Sequence, residues 1–397
     1  MGVPRFEPFA ALRYNPALPL DKVVAPPYDV LSDADVVALL KSHPRNIVAI
    51  DVPRDVDGPD RYDKAGQRLM EWIGDGTLVR DAQPSFTLYR TRFADEAGKQ
   101  RETVGVLGAL EVVDEGAGGV LPHERTIPKA KTDRLDLTRA TRTNLSPVWG
   151  LSLTAGLTDL LRVAGEPMGS CTDEQGVVHT VERVSDAERV AAIGTAVSAS
   201  AVLIADGHHR YAISRTYRDE ARAIRGTDSP AELTLTYVAE LVEDQLSIDS
   251  IHRLYHDVTA DDLLTVLSEC FEIEAAGIVT PAFGSKVVQR GALCLVRPDG
   301  TGVWLTPKPS AFEGVRGLDG AYLEHALRDQ GIDVTYQHGV QHIVDIVSGT
   351  QSTVGVLIRP TSIVEIRRTA NEGLLMPPKS TFFTPKLRTG LVLRPLS

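Results

Sequence analysis

"SASAVLIADGHHRYAISRTYRDEARAIRG", residues 198–226, decides how the chain is read. The apolar run Ala201–Ala205 has the length of a buried strand. Gly207 follows Asp206 and allows a sharp reversal. From His208 the apolar residues recur at helical spacing until Gly226, a natural helix stop. A strand, a tight turn and a helix therefore place Asp206, Gly207, His208, His209 and Arg210 at one junction. Free N–H groups and the positive end of the helix dipole point outward there, which suits an anion. Asp206 can hold a divalent cation or cap the helix. His208 and His209 can bind phosphate, shuttle a proton or ligate metal. Arg210 offers a bidentate fork to phosphate. The structural alternative has Asp206 as a cap, one histidine packed, and Arg210 paired with Asp219 or Glu220.

Outward from this stretch, the pattern is mixed α/β throughout. "DAERVAAIGTAVSAS" (186–200) reads as a helix and "AELTLTYVAELV" (231–242) as a strand. "SFTLYRTRF" (85–93) and "ETVGVLGALEVV" (102–113) flank a polar turn and read as a hairpin. "YDKAGQRLMEWIGDG" (62–76) is an amphipathic helix. Ser32, three residues before Asp35, marks another helix start with a capping-box pattern. "NIVAIDVP" (46–53) reads as a strand. The expected organisation is an N-terminal α/β segment over 1–120, a core over 121–254, and a C-terminal α/β domain over 255–397.

Three further segments carry chemistry. "PHERTIPKAKTDRLDLTRATRTN" (122–144) concentrates Arg125, Lys129, Lys131, Arg134, Arg139 and Arg142 in a chain whose net charge is −11. His123-Glu124 is not a zinc-protease signature, because residue 127 is Ile. Glu124 among these cations suits a general base or a magnesium ligand, or else an ion-paired loop. "MPPKSTFFTPKLR" (376–388) brings Lys379, Ser380 and Thr381, which resemble the end of a phosphate loop without the GxxxxGK spacing. A packed basic strand edge is the alternative. "VAPPYDV" (24–30) stiffens the backbone at Pro26-Pro27 and presents Tyr28 and Asp29 in a fixed direction.

The totals narrow the classes. The chain has 397 residues, 43% hydrophobic and 24% charged, as in soluble globular proteins. No apolar run reaches the roughly 20 residues of a membrane span. The first residues lack a secretory pattern. Cys171, Cys270 and Cys294 are odd in number and widely spaced, without a CxxC pair. A cytoplasmic protein is expected. The acidic balance disfavours bulk nucleic-acid binding, which needs Lys and Arg on phosphates.

Taken together and in this order, "VAPPYDV", "PHERT" with the "DRL" that follows, "ADGHHRY" and "LMPPKSTFFTPKL" resemble a bacterial family known as domain of unknown function one-thousand-and-fifteen. The resemblance runs from about residue 5 to 395. The "DGHHR" element is also similar to that of free serine kinases, of the ParB/sulfiredoxin-like superfamily. The resemblance implies a ParB/sulfiredoxin-like phosphate-binding core. It implies a Mg²⁺-dependent kinase that phosphorylates free L-serine to O-phospho-L-serine, with pyrophosphate or a nucleotide (ATP or ADP) as donor. By the matching motifs, Glu124, Asp206 and His209 would be catalytic. Gly207, His208 and Arg210 would bind phosphate or substrate, with Lys131, Arg134, Lys379, Ser380 and Thr381 as further contacts. Asp206 would hold the metal. Two other readings stay open: a ParB-like nucleotide or nucleic-acid binder without catalysis, and a metal-dependent phosphohydrolase using His208, His209 and Asp206.

Overall fold

The computed structural model describes residues 2–95, 98–124 and 132–397. It is mixed α/β, as expected, and divides into two compact units. The first comprises residues 1–247 with 385–397, the second residues 248–384.

The first unit is built on a nine-stranded mixed sheet. Its strands are β1 (Phe6–Glu7), β2 (Phe86–Ala94), β3 (Gln100–Glu111), β4 (Val120–Pro122), β5 (Val148–Ser152), β6 (Glu166–Thr172), β7 (Val178–Val184), β8 (Val202–Asp206) and β9 (Leu233–Glu240). They lie in the order β4-β8-β5-β9-β3-β2-β7-β6, with β1 on β3. The expected boundary at 120 falls inside this sheet. β3 pairs with β9, so segments 1–120 and 121–254 share one hydrogen-bonded layer. The β2–β3 hairpin forms as read, with Thr87 opposite Leu107 and Ala94 opposite Gln100.

Beside a single-turn helix over Leu20–Val23, the helices of this unit include α1 (Asp33–Ser42), α2 (Val48–Asp51), α3 (Arg61–Gly74), α4 (Thr132–Thr141), α5 (Leu157–Arg162), α6 (Ala187–Val197) and α7 (His208–Arg225). Ser32 caps α1 with a full capping box to Asp35. The strand expected over 46–53 is instead the short helix α2. The cause is Asn46, which is completely buried. Its amide donates to the carbonyls of Lys22 and Val24, and its Oδ1 accepts from Val48 N–H, so the chain turns at once. Two apolar cores result. One, with Phe86, Val106, Ile193, Val202 and Tyr211, packs helices on the sheet. The other gathers Ile47, Ile50, Leu69, Trp72, Leu137 and Leu393.

The second unit has a six-stranded sheet of β10 (Ile251–His256), β11 (Phe271–Ile278), β12 (Leu293–Val296), β13 (Thr301–Pro307), β14 (Val334–His338) and β15 (Thr353–Leu357). The order is β11-β13-β12-β15-β10-β14. Helices α8 (Ala260–Leu267), α9 (Phe283–Arg290), α10 (Asp319–Leu327), α11 (Val340–Ser348) and α12 (Ile363–Glu372) accompany it. Among the described residues, no helix is long and apolar enough to cross a membrane.

Candidate active site

The decisive stretch folds as read. β8 ends at Asp206, Gly207 takes φ 85°, and α7 runs from His208 to Arg225 before Gly226. Gly207 occupies the N-cap without a side-chain cap, so Asp206 is not a capping residue. A register shift between Ile204 and Asp206 against β5 re-aims the end of β8. Tyr211 anchors the first turn of α7: its hydroxyl accepts from Val113 N–H and donates to Glu111 O.

Asp206 lies between two cations. Arg210 Nη2 donates to its Oδ2 at 2.6 Å, and Lys386 Nζ donates to its Oδ1 at 3.1 Å. Burial opposes the ionised carboxyl, but Lys386 and Arg210 outweigh burial and hold it well below the usual carboxylate range. Arg210 also donates to Pro147 O. The acids proposed for it in the structural alternative are engaged elsewhere, Asp219 with Arg218 and Glu220 with Arg139. Lys386 belongs to the same basic C-terminal segment as Lys379, but it was not among the expected site residues. Its pairing spans 180 positions in sequence, and spacing gives no signal for that.

Glu124 reaches the same edge of the sheet through strand pairing. β4 runs parallel to β8, with Pro122 opposite Ile204, so both strands end on the same side. Ligands collect at the carboxyl ends of parallel strands. His123 is fully buried, and its Nδ1–H donates to Ile204 O at 2.5 Å. Burial lowers His123 to about 4, so it stands neutral beside Glu124, 3.8 Å from Nε2 to Oε2. The His123 ring also meets the His208 ring at 5.0 Å between centroids. Glu124, His123, His208 and Asp206 thus form one neighbourhood. His209, the second residue of α7, is partly buried.

The Tyr28-Asp29 motif joins this neighbourhood from the other side of Arg210. A cleft of about 50 Å³ is lined by Tyr28, Asp51, Arg134, Asn144, Arg210 and Ser214, among others. Arg134 stacks on the Tyr28 ring at 3.8 Å and donates to Asp51 O at 2.5 Å and Asp51 Oδ1 at 3.2 Å. Burial raises the Asp51 carboxyl above its usual range, against the pull of Arg134 and Arg210. Asp51 was hidden from sequence reasoning by the strand reading of its segment.

Lys131, with Arg125 and Lys129, lies outside the described residues. Lys379, Ser380 and Thr381 belong to the second unit. There Lys379 has φ 57° and its carbonyl accepts from Arg253. Ser380 Oγ donates to Pro377 O, and its carbonyl accepts from Thr361 Oγ1. These groups shape a turn in the second unit.

Lys386 is placed by a buried chain of hydrogen bonds two residues on. Arg388 N–H donates to the Tyr89 hydroxyl at 2.9 Å. That hydroxyl donates in turn to His179 Nδ1 at 2.9 Å, and His179 Nε2–H donates to Asp173 Oδ2 at 3.1 Å. Burial lowers His179 despite Asp173, keeping one ring nitrogen as an acceptor. Thr389 adds paired backbone bonds to Ala25.

As for metal, no group of three His, Cys, Asp or Glu converges among the described residues. Mg²⁺ asks less, since one or two carboxylates suffice when phosphate oxygens supply the remaining ligands. Asp206 fits that role. Its two hydrogen bonds use about half of the lone-pair positions of a carboxylate.

No curated protein matches the chain. Among solved structures, it is similar to a free serine kinase in complex with AMP, at 13% identity and TM-score 0.37, covering 68% of this chain and 88% of that one. It is also similar to SbnI with C-terminal truncation from Staphylococcus aureus, at 13% identity and TM-score 0.40, covering 73% and 87%. A conserved hypothetical protein from Pyrococcus furiosus gives 12%, TM-score 0.36, and 68% and 92% coverage. The family model described as "Protein of unknown function (DUF1015)" matches residues 6–321, most of the length, and the chain belongs to that family.

Proposed function

We propose that the protein is a phosphotransferase with an alcohol acceptor, moving a phosphoryl group from pyrophosphate or a nucleotide to the hydroxyl of free L-serine. The observation that carries it is Asp206, kept ionised between Lys386 and Arg210 where β8 hands over to α7. Phosphoryl transfer asks the protein for positioning and charge more than for covalent chemistry. Lys386, Arg210, His208 and the N-terminus of α7, opening at Gly207, would hold the donor phosphates. Asp206 would hold Mg²⁺, which when bound neutralises charge on the phosphate oxygens. Glu124, whose carboxylate lies 3.8 Å from the neutral ring of His123, would accept the serine Oγ proton. His209 would assist proton transfer at the same junction. The Oγ–P bond forms as the bridging P–O bond breaks, and the leaving phosphate keeps that electron pair among the cations.

The test offers Mg²⁺ and L-serine with pyrophosphate, ATP or ADP separately, and follows phosphoserine by ³¹P NMR. Turnover with one donor is expected. Glu124→Gln should lower it about 10²-fold or more, the range for losing a general base. Asp206→Asn should do at least as much. No phosphoserine with any donor from folded protein, or activity within about twofold of wild type in both variants, would overturn the assignment.

A further inference from the structure

A pocket of about 590 Å³ lies in the first unit, away from Asp206. β8 begins at Val202 and ends at Asp206. Val202 pairs with Ser152, and Ser152 with Glu240 at the end of β9. The chain then passes into residues 243–245, which line the pocket. The pocket thus sits at the end of the sheet where β8 begins, opposite the candidate active site. Its least exposed polar groups are donors held in place. Arg90 Nη2 donates to Leu161 O at 2.8 Å, and its Nε to Glu182 Oε1 at 3.0 Å. Arg101 Nη2 donates to Glu243 O at 2.6 Å and to Leu246 O at 3.1 Å. These bonds fix both guanidinium planes. Nη1 of each has no hydrogen-bond acceptor among the described residues, since Glu102 stands 4.0 Å from Arg90 Nη1 and Asp95 3.8 Å from Arg101 Nη1. Gln245 is 5% exposed, and its Oε1 accepts from Val104 N–H. Its amide nitrogen donates to no described residue. All three side chains line the pocket.

The acids of the pocket lie at its rim. Glu102 and Asp244 expose more than half of their side chains, and Asp244 is already paired with Arg162 at 3.0 Å. Glu243 is exposed. Arg90 and Arg101 expose only 13% and 20% of theirs. Solvent and salt screen the rim charges more than the floor, so the floor selects an anion. Donor count narrows the anion. Each of the three nitrogens carries two N–H bonds, more than the two oxygens of a carboxylate accept in full. The terminal oxygens of a phosphate monoester take them, and arginine forks match phosphate geometry. Volume narrows it again. The pocket has the size of a site for a whole small molecule, and a bare phosphate would leave most of it empty.

We propose that this pocket is a second ligand site and takes a phosphate monoester that carries a polyol, such as a sugar phosphate. Its phosphate lies on Arg90, Arg101 and Gln245, and its hydroxyls donate to the rim carboxylates Glu102 and Glu243. The site shares no residue with the Asp206 neighbourhood, so it stands or falls apart from the phosphotransferase reading.

Calorimetric titration and hydrogen–deuterium exchange of the full chain test it, with ribose 5-phosphate, ribose and inorganic phosphate as probes. Ribose 5-phosphate should bind and slow exchange at residues 100–104 and 243–246. Ribose should bind about a hundredfold more weakly or not at all, having lost every charged hydrogen bond. Inorganic phosphate should bind about tenfold more weakly, having lost the rim contacts. Arg101→Met should weaken ribose 5-phosphate about tenfold or more, the range for one charged hydrogen bond, whereas Lys386→Met should leave it within about twofold. The exchange map of the wild-type chain keeps the test valid where Arg101→Met folds poorly. Protection confined to residues 206–210, equal binding of ribose and ribose 5-phosphate, or unchanged affinity in folded Arg101→Met would overturn the proposal.

Discussion

Tyr89→Phe removes one oxygen and leaves two buried groups without partners. Arg388 N–H loses its acceptor, and His179 Nδ1 loses its donor. Tyr89 and His179 are essentially unexposed and Arg388 is 8% exposed, so water is poorly placed to replace the hydroxyl. An unsatisfied buried group costs about 1–3 kcal/mol, and two of them about 2–6 kcal/mol. Phenylalanine keeps the ring packing, so no cavity cost adds to this. Urea unfolding followed by circular dichroism should show the midpoint of the first unit falling by about 1–3 M, for slopes near 2 kcal/mol/M. Amide exchange at residues 386–389 should quicken more than exchange in β8. A loss below about 0.5 kcal/mol, the size of an ordinary surface change, would refute the argument that this chain of bonds holds the C-terminal segment.

Other outcomes follow from the same geometry. Gly207→Ala must adopt φ near 85° with a Cβ 3.0 Å from Arg210 Cζ and Nε, so a stability loss of about 1–2 kcal/mol and displaced Arg210 are expected. A thermal melt identical to wild type would contradict it. Lys386→Met should raise the Asp206 carboxyl and weaken pyrophosphate binding at least tenfold by calorimetry, because one of its two cations is gone. Unchanged binding would place the phosphates elsewhere. His123 titrates near 4 in the folded protein and near 6.5 when unfolded. The unfolded chain therefore binds the proton first as pH falls. Stability is complete above pH 6.5 and declines towards pH 4, by up to about 3 kcal/mol from this residue. Unfolding free energies of wild type and His123→Gln at pH 7 and pH 4.5 measure it, and equal pH slopes would disprove it.

Local signals were legible where one stretch of chain decides its own conformation. Gly207 and Gly226 bound α7 at the residues expected, and Ser32 with Asp35 starts α1. What escaped depends on partners far away. Asn46 turns the next segment into a helix only because the carbonyls of Lys22 and Val24 are there to receive its amide. Asp51 then enters the cleft instead of closing a strand. Lys379 looked like the phosphate lysine because two hydroxyls follow it, whereas Lys386 holds Asp206. Both are basic residues in one segment, and choosing between them requires knowing that the chain returns to the first unit at Pro385. Glu124 and Asp206 were recognised as motifs, and the parallel register of β4 and β8 explains why they share an edge.

That return has a consequence for how the protein is made. Residues 385–397 lay Leu393 against Leu12 through paired backbone hydrogen bonds and seat it in the core around Trp72. Translation delivers these residues after the whole second unit. Asp206, Arg210 and the sheet beneath them emerge early, but their second cation emerges near the end. A nascent chain is thus unable to bring Lys386 to Asp206 before the second unit has been made, however well its first unit has begun to fold. A frameshift or stop codon anywhere in the second unit therefore leaves Asp206 with Arg210 but without Lys386.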